Sequence, residues 1–118
     1  MKEKKEDKLT QLSMQLSVDV LKLVEELQTK KEKIISNQIG RSATSICANI
    51  AESKYAHSRA DFIAKLEIAL KEASETGKWF EMLEKVGYVS VERIRPLSTT
   101  CATIRILLIK SIKTLKSK

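Results

Sequence analysis

Residues 41–52 read Arg-Ser-Ala-Thr-Ser-Ile-Cys-Ala-Asn-Ile-Ala-Glu, and between the two end residues no side chain is charged. Helical spacing sorts this stretch into faces. Continued back along the chain, Ile35, Ile39, Ala43, Ile46 and Ile50 recur at threes and fours, which places them on one side of a helix. Gln38, Ser42, Ser45, Asn49 and Glu52 form an adjacent polar stripe, and Thr44, Ala48 and Ala51 cover much of the rest. A helix face that belongs to water normally carries charge. Three turns without any predict burial on more than one side, and small residues permit a second helix to come close. Ser42, Ser45, Ala48, Asn49 and Glu52 are therefore the expected contact with another subunit. Asn49 and Glu52 should bond outside their own helix, because buried polar groups need partners.

This helix spans about residues 32–55, and the same periodicity finds three others around it. The first, about 8–30, carries Leu9, Leu12, Leu16, Val20, Leu23 and Leu27 in one stripe, with Asp7 placed to cap it. The third, about 59–86, opens on Ser58 with Asp61 three residues on, a variant of the capping box. Its seam is Phe62, Leu66, Ala69, Ala73, Gly77 and Phe80. Glycine inside a helix costs about 1 kcal/mol relative to alanine, so Gly77 predicts close approach of a neighbouring backbone or ring. Gly87 is a good stop, where a left-handed residue is wanted. The fourth, about 91–116, carries Ile94, Leu97, Cys101, Ile104, Leu108, Ile112 and Leu115. Pro96 suits only a first turn, so regular helix is expected from near Arg95, or a kink there. Four amphipathic helices with short connections predict an all-α fold, an antiparallel up-down-up-down four-helix bundle.

Composition agrees with that class. The 118 residues are enough for one domain. At 42% hydrophobic and 31% charged the chain is globular rather than disordered. Three Gly and one Pro are too few for the turns of an all-β domain. No apolar run approaches the ~20 residues that span a membrane, and residues 1–8 are charged nearly throughout, unlike a secretory leader. No membrane association is expected, and the compartment expected is the cytoplasm. Cys47 and Cys101 both fall among apolar neighbours and read as reduced, buried thiols rather than a disulfide framework.

Charge is distributed unevenly. Residues 1–92 hold fifteen basic and fifteen acidic residues, whereas the stretch after Glu92 holds seven basic and no acidic ones. The whole net charge of +7 therefore sits in the last quarter. Arg95, Arg105, Lys110, Lys113 and Lys116 lie opposite the Ile/Leu stripe of the fourth helix. Catalytic chemistry has little to work with. His57 is the one histidine and sits in a short loop, apart from either cysteine. The inward Glu-x-x-His pairs of di-iron bundles are missing, as is any Gly-rich phosphate loop. No enzyme activity, cofactor or metal site is expected.

The residues also resemble a known family. Residues 38–52, Gln-Ile-Gly-Arg-Ser-Ala-Thr-Ser-Ile-Cys-Ala-Asn-Ile-Ala-Glu, are similar to the pattern Gln-x-x-Arg-(Ser/Ala)-(Ala/Ser)-x-Ser-Ile-x-x-Asn-Ile-Ala-Glu-Gly of the 23S rRNA intervening-sequence proteins. Phe62, then Leu66 through Ala73, Glu75, Thr76 and Trp79 make a second matching block, and Leu83 to Val89 a third. Cys47 stands where many members have Pro, which should straighten the second helix, and Ser53 where they have Gly. The resemblance implies a left-handed up-down bundle assembling as a homopentamer around a central channel. It further implies kinship with the accessory variability proteins of diversity-generating retroelements, which bind nucleic acid and a reverse transcriptase through basic surfaces.

Two functional readings follow. In the first the protein is a nucleic-acid-binding oligomer, attracting RNA or DNA by backbone charge through Arg105, Lys110, Lys113 and Lys116, with Arg41 as a further contact. In the second it is a scaffold whose basic face docks an acidic partner protein. Against the first reading, few aromatics are available for base stacking: Trp79, Tyr55, Tyr88, Phe62 and Phe80, at least two of them core.

Overall fold

A computed structural model describes residues 7–118, and every regular element among them is a helix. The four are α1 (Lys8–Thr29), α2 (Ile34–Ser53), α3 (Arg59–Val86) and α4 (Val91–Lys116). Each start is marked by a side chain that satisfies the free backbone N–H groups of the first turn. Asp7 accepts from the Thr10 amide at 2.8 Å, Ser58 from the Asp61 amide at 3.0 Å, and Ser90 from the Arg93 amide at 3.2 Å. The Asp61 carboxylate reaches back to the His57 amide at 3.3 Å, so the box closes one residue earlier than the usual pattern.

α2 begins two residues later than periodicity suggests, because Glu32 serves as its cap. The Glu32 carboxylate accepts from the amides of Ile34, Ile35 and Ser36 at 2.8–3.0 Å. The chain reaches that position through a tight reversal at the end of α1. Lys31 is left-handed (φ 65°), with its amide on the Gln28 carbonyl and the Glu32 amide on the Leu27 carbonyl. This is the Schellman arrangement, here made with lysine where glycine is usual. α3 ends on Gly87 at φ 79°, whose amide donates to the Leu83 carbonyl. Pro96 lies inside α4 rather than in its first turn, since the helix already runs from Val91. The bond it forfeits is to the carbonyl of Glu92, which is exposed and open to water.

The helices neighbour one another in a closed ring. α2 packs on α1 and α3, α4 packs on α3 and α1, and no backbone contact crosses either diagonal. One core fills the centre. It takes Leu16, Val20, Leu23 and Leu27 from α1, Ile35, Ile39, Ala43, Ile46 and Ile50 from α2, and Leu66, Ala69, Ala73, Phe80 and Leu83 from α3. α4 adds Ile94, Leu97, Cys101, Ile104, Leu108 and Ile112. Ion pairs tie the ends: Asp7 before α1 to Lys54 after α2, Glu26 late in α1 to Arg93 early in α4, and Glu67 in α3 to Lys116 at the close of α4. Gly77 departs from expectation. A Cβ built there meets nothing within 4 Å, so no close approach requires the glycine.

Candidate nucleic-acid interface and assembly face

The phase of α4 decides which of its cations are free. Its core stripe turns inward, which leaves Arg95, Arg105, Lys110 and Lys113 exposed, and no ion pair holds any of them among the described residues. Lys116 is exposed too but reaches Glu67 of α3 at 2.9 Å. Both partners are about half in water, where such a pair contributes about 0–1 kcal/mol and exchanges easily. The face is not purely polar. Ile106 and Ile109 lie between the lysines at 54% and 48% exposure. Arg105 borders a shallow hollow with Ser98, Cys101 and Ala102 of α4 and Glu75, Lys78 and Glu81 of α3.

Arg41 does not join this face. It lies across the α2–α3 seam, with Nη1 3.2 Å from Glu72 and Nη2 2.8 Å from Glu75. The hydrogen bond to Glu75, then the charge of Glu72, hold its pKa above the ordinary arginine value. Two carboxylates outweigh one guanidinium, so this corner offers a phosphate no net attraction. Arg41, expected as a nucleic-acid contact, is thus engaged by two carboxylates of α3. Its partners stand 31 and 34 residues further along the chain, where no local spacing marks them.

Ser42, expected at a subunit contact, lies inside the chain instead. It is fully buried, and its hydroxyl lies 2.8 Å from the equally buried Thr76 hydroxyl of α3. Thr76 in turn donates to the Glu72 carbonyl at 2.8 Å. Ser42 thus belongs to the interior of one chain and cannot meet another subunit. Asn49 is half-buried and spends its amide within its own helix, on the Ser45 carbonyl at 2.9 Å and the Ser45 hydroxyl at 3.2 Å. Among the described residues it makes no bond to another helix of this chain, because Ser45 one turn below supplies both acceptors. Glu52 is exposed and points toward Lys65 of α3 at 3.9 Å. The stripe from Ser42 to Glu52 is therefore the α3-facing flank of α2.

The uncovered, charge-free surface lies on the other flank. Ala48 and Ala51 are exposed, with Thr44 and Cys47 half-buried beside them. Across the seam, the Ser17 hydroxyl lies 3.3 Å from the Ala43 carbonyl, and Val24 faces Gly40. One turn from that contact row, Met14, Val18 and Leu21 stand exposed on α1. Sequence reasoning passed over these three. Their signal was present as apolar residues out of register with the Leu16–Leu27 stripe.

The aromatics divide similarly. Phe80 is buried, Phe62 and Trp79 pack against the core, and only Tyr55 and Tyr88 face solvent substantially. Cys101 is buried and donates to the Ala73 carbonyl at 3.3 Å, and desolvation pushes its thiol up to about 11. Cys47 is half-buried, which departs from the expectation of two buried thiols. None of the described helices is long and apolar enough to cross a membrane.

Comparison with known proteins adds two findings. The sequence pattern of the family described as 23S rRNA-intervening sequence protein matches residues 5–110. A crystal structure of a protein with unknown function from the S23 ribosomal protein family of Bacteroides thetaiotaomicron VPI-5482 superposes with a TM-score of 0.87. The two are 43% identical over 89% of this chain and 98% of that one. A search of the curated proteins returned no match.

Proposed function

From the premise that this chain belongs to the 23S rRNA-intervening sequence protein family, we propose that it is a non-enzymatic oligomeric module binding nucleic acid through α4. The observation that carries the reading is the set of unpaired cations. Arg95, Arg105, Lys110 and Lys113 project from one helix on which no acidic residue follows Glu92. Cations without a protein partner release the counterions of a phosphate backbone at no cost in broken ion pairs. The arrangement we infer is an antiparallel bundle. The end-to-end pairs Asp7–Lys54 and Glu26–Arg93, and connections too short to recross the fold, support it. The assembly we infer is a homopentamer, joined through Ala48 and Ala51 with Met14, Val18 and Leu21. Joining copies multiplies the basic faces and hence the attraction for a polyanion.

The test replaces Arg105, Lys110 and Lys113 together with Gln, which spares both the core stripe and the Lys116–Glu67 pair. Fluorescence anisotropy with a generic RNA or DNA duplex at several salt concentrations reads the result. Affinity should fall, and the log-log salt slope of duplex binding should flatten by about two to three units. Wild-type protein that binds neither nucleic acid at low salt refutes the reading. One observation favours a second reading, a scaffold for an acidic partner protein. Ile106 and Ile109 give the same face an apolar content that phosphates do not use but an acidic amphipathic helix would.

A further inference from the structure

Where α1 and α3 begin and α2 and α4 finish, the four helices leave a cleft of about 580 Å³. Its floor is the buried pair Ile50 and Leu66, and its walls are Leu9, Phe62, Leu107 and Leu115, each only partly covered. Leu9 and Leu115 hold core register in their helices, yet neither finds a partner that closes over it. At the opposite end of the fold, Arg93 meets Glu26 through two nitrogens at 2.9–3.2 Å. No ion pair joins α1 to α4 at the near end among the described residues, and theirs is the sparsest of the four helix contacts. Leu9 of α1 lines the cleft together with Leu107 and Leu115 of α4.

Charge at the mouth is specific in placement. Lys8 of α1, Lys54 after α2 and Lys110 of α4 surround the opening. Lys54 is held by Asp7, whose carboxyl its hydrogen bond keeps below the usual range, so that pair is neutral overall. Lys8 and Lys110 remain uncompensated on opposite lips, among the described residues. The volume falls in the range of small-molecule sites, about 300–1,000 Å³. An apolar interior with two cations at its rim excludes a bare phosphodiester, which has nothing to put inside. It equally excludes a neutral hydrocarbon as the preferred guest, which leaves the lysines unused.

We propose that this cleft binds a single-chain anionic amphiphile of the fatty-carboxylate class. The aliphatic tail lies among Leu9, Phe62, Leu107 and Leu115, and the carboxylate takes charge-assisted hydrogen bonds from Lys8 and Lys110. The cleft shares Lys110 with the proposed nucleic-acid face, so it is tested through residues outside Arg105, Lys110 and Lys113.

Calorimetric titration of the full chain with sodium dodecanoate, kept monomeric in solution, should show saturable binding of one molecule per chain. Each buried methylene is worth roughly fourfold in affinity, so octanoate, four methylenes shorter, should bind more weakly by on the order of a hundredfold or more. Dodecyltrimethylammonium, with the same tail and the opposite charge, should bind at least tenfold more weakly. Ser111→Trp fills the cleft from a half-buried wall position and should abolish binding with helicity unchanged. Thr114→Trp, from an exposed position, does the same should the first variant unfold. Lys8→Gln should weaken dodecanoate severalfold and leave duplex affinity within twofold. Absence of saturable dodecanoate binding overturns the proposal, as does equal affinity for the cationic amphiphile or undiminished binding by a folded tryptophan variant. Binding to phosphatidylglycerol vesicles without binding of monomeric dodecanoate also overturns it, and assigns the lysines to a lipid surface instead.

Discussion

The Ser42–Thr76 hydroxyl pair offers the sharpest test of how α2 and α3 are joined. Both side chains are fully buried, so neither can turn to water when its partner is removed. Thr76 donates its one proton to the Glu72 carbonyl at 2.8 Å, which leaves Ser42 to donate to Thr76 at 2.8 Å. The alternative acceptor for Ser42, the Ile39 carbonyl, is 3.4 Å away. Thr76→Val keeps the volume, so no cavity opens, but it leaves the Ser42 proton with that long contact alone. A buried donor stripped of its partner costs about 1–3 kcal/mol. Because part of the bond to Ile39 survives, about 1–2 kcal/mol is expected here. At roughly 3–6 °C per kcal/mol for a chain of this size, the thermal midpoint should fall by several degrees. Ser42→Ala removes the donor itself and leaves Thr76 satisfied on Glu72, so it should cost about 0.5–1 kcal/mol. The double variant contains no orphaned hydroxyl and should be more stable than Thr76→Val alone. Urea unfolding of all four proteins at one fixed concentration closes the cycle, since any assembly makes midpoints depend on concentration. Ser42→Ala should leave the concentration dependence itself unchanged, because the residue faces α3. Strictly additive effects, or Thr76→Val within about 0.3 kcal/mol of wild type, would falsify the hydrogen-bond chain.

Other perturbations follow from the same geometry. Arg41→Ala strands Glu72, at 8% exposure, beside Glu75. Arg41 is itself half in water, so the cost should be about 1–2 kcal/mol rather than that of a buried pair. Duplex affinity should not change, and a loss of binding without a loss of stability in urea would return Arg41 to the nucleic-acid face. Gly77→Ala should stabilise by about 0.5–1 kcal/mol, since the added Cβ meets nothing within 4 Å; a lowered midpoint would refute the open space around Gly77. A thiol reagent at pH 8 should modify Cys47 faster than Cys101, which should react only on unfolding. The Cys101 thiol is raised from 9.0 to about 11 by burial, so its neutral form is favoured in the fold. That contribution is complete below about pH 9 and fades as pH rises toward 11. Cys101→Ala should therefore flatten the alkaline loss of stability between those limits, and an unchanged pH profile would count against a buried thiol.

Helices and core were legible in the chain because both depend on local order. Capping at Asp7, Ser58 and Ser90 involves residues three apart, and the inward seams repeat every three to four positions, so no knowledge of distant neighbours is needed. The charge asymmetry after Glu92 is equally a property of the string of residues. What each border residue touches is another matter. Ser42 lies at the edge of the apolar stripe of α2, where helical phase alone permits either the interior or a second subunit. The rotation of α2 against α3 put it inside, opposite Thr76. Arg41 reads as a free cation until Glu72 and Glu75 are brought across the seam to neutralise it. Ile106 and Ile109 read as ordinary helix residues until the packing of α4 leaves them among its lysines. The cleft beside Leu9 and Leu115 is further still from the sequence. It is a gap between the ends of four helices, each of which contributes residues to its lining. Periodicity reports the direction in which a side chain points within its own helix. Only the mutual rotation and spacing of the helices decide what stands there to meet it.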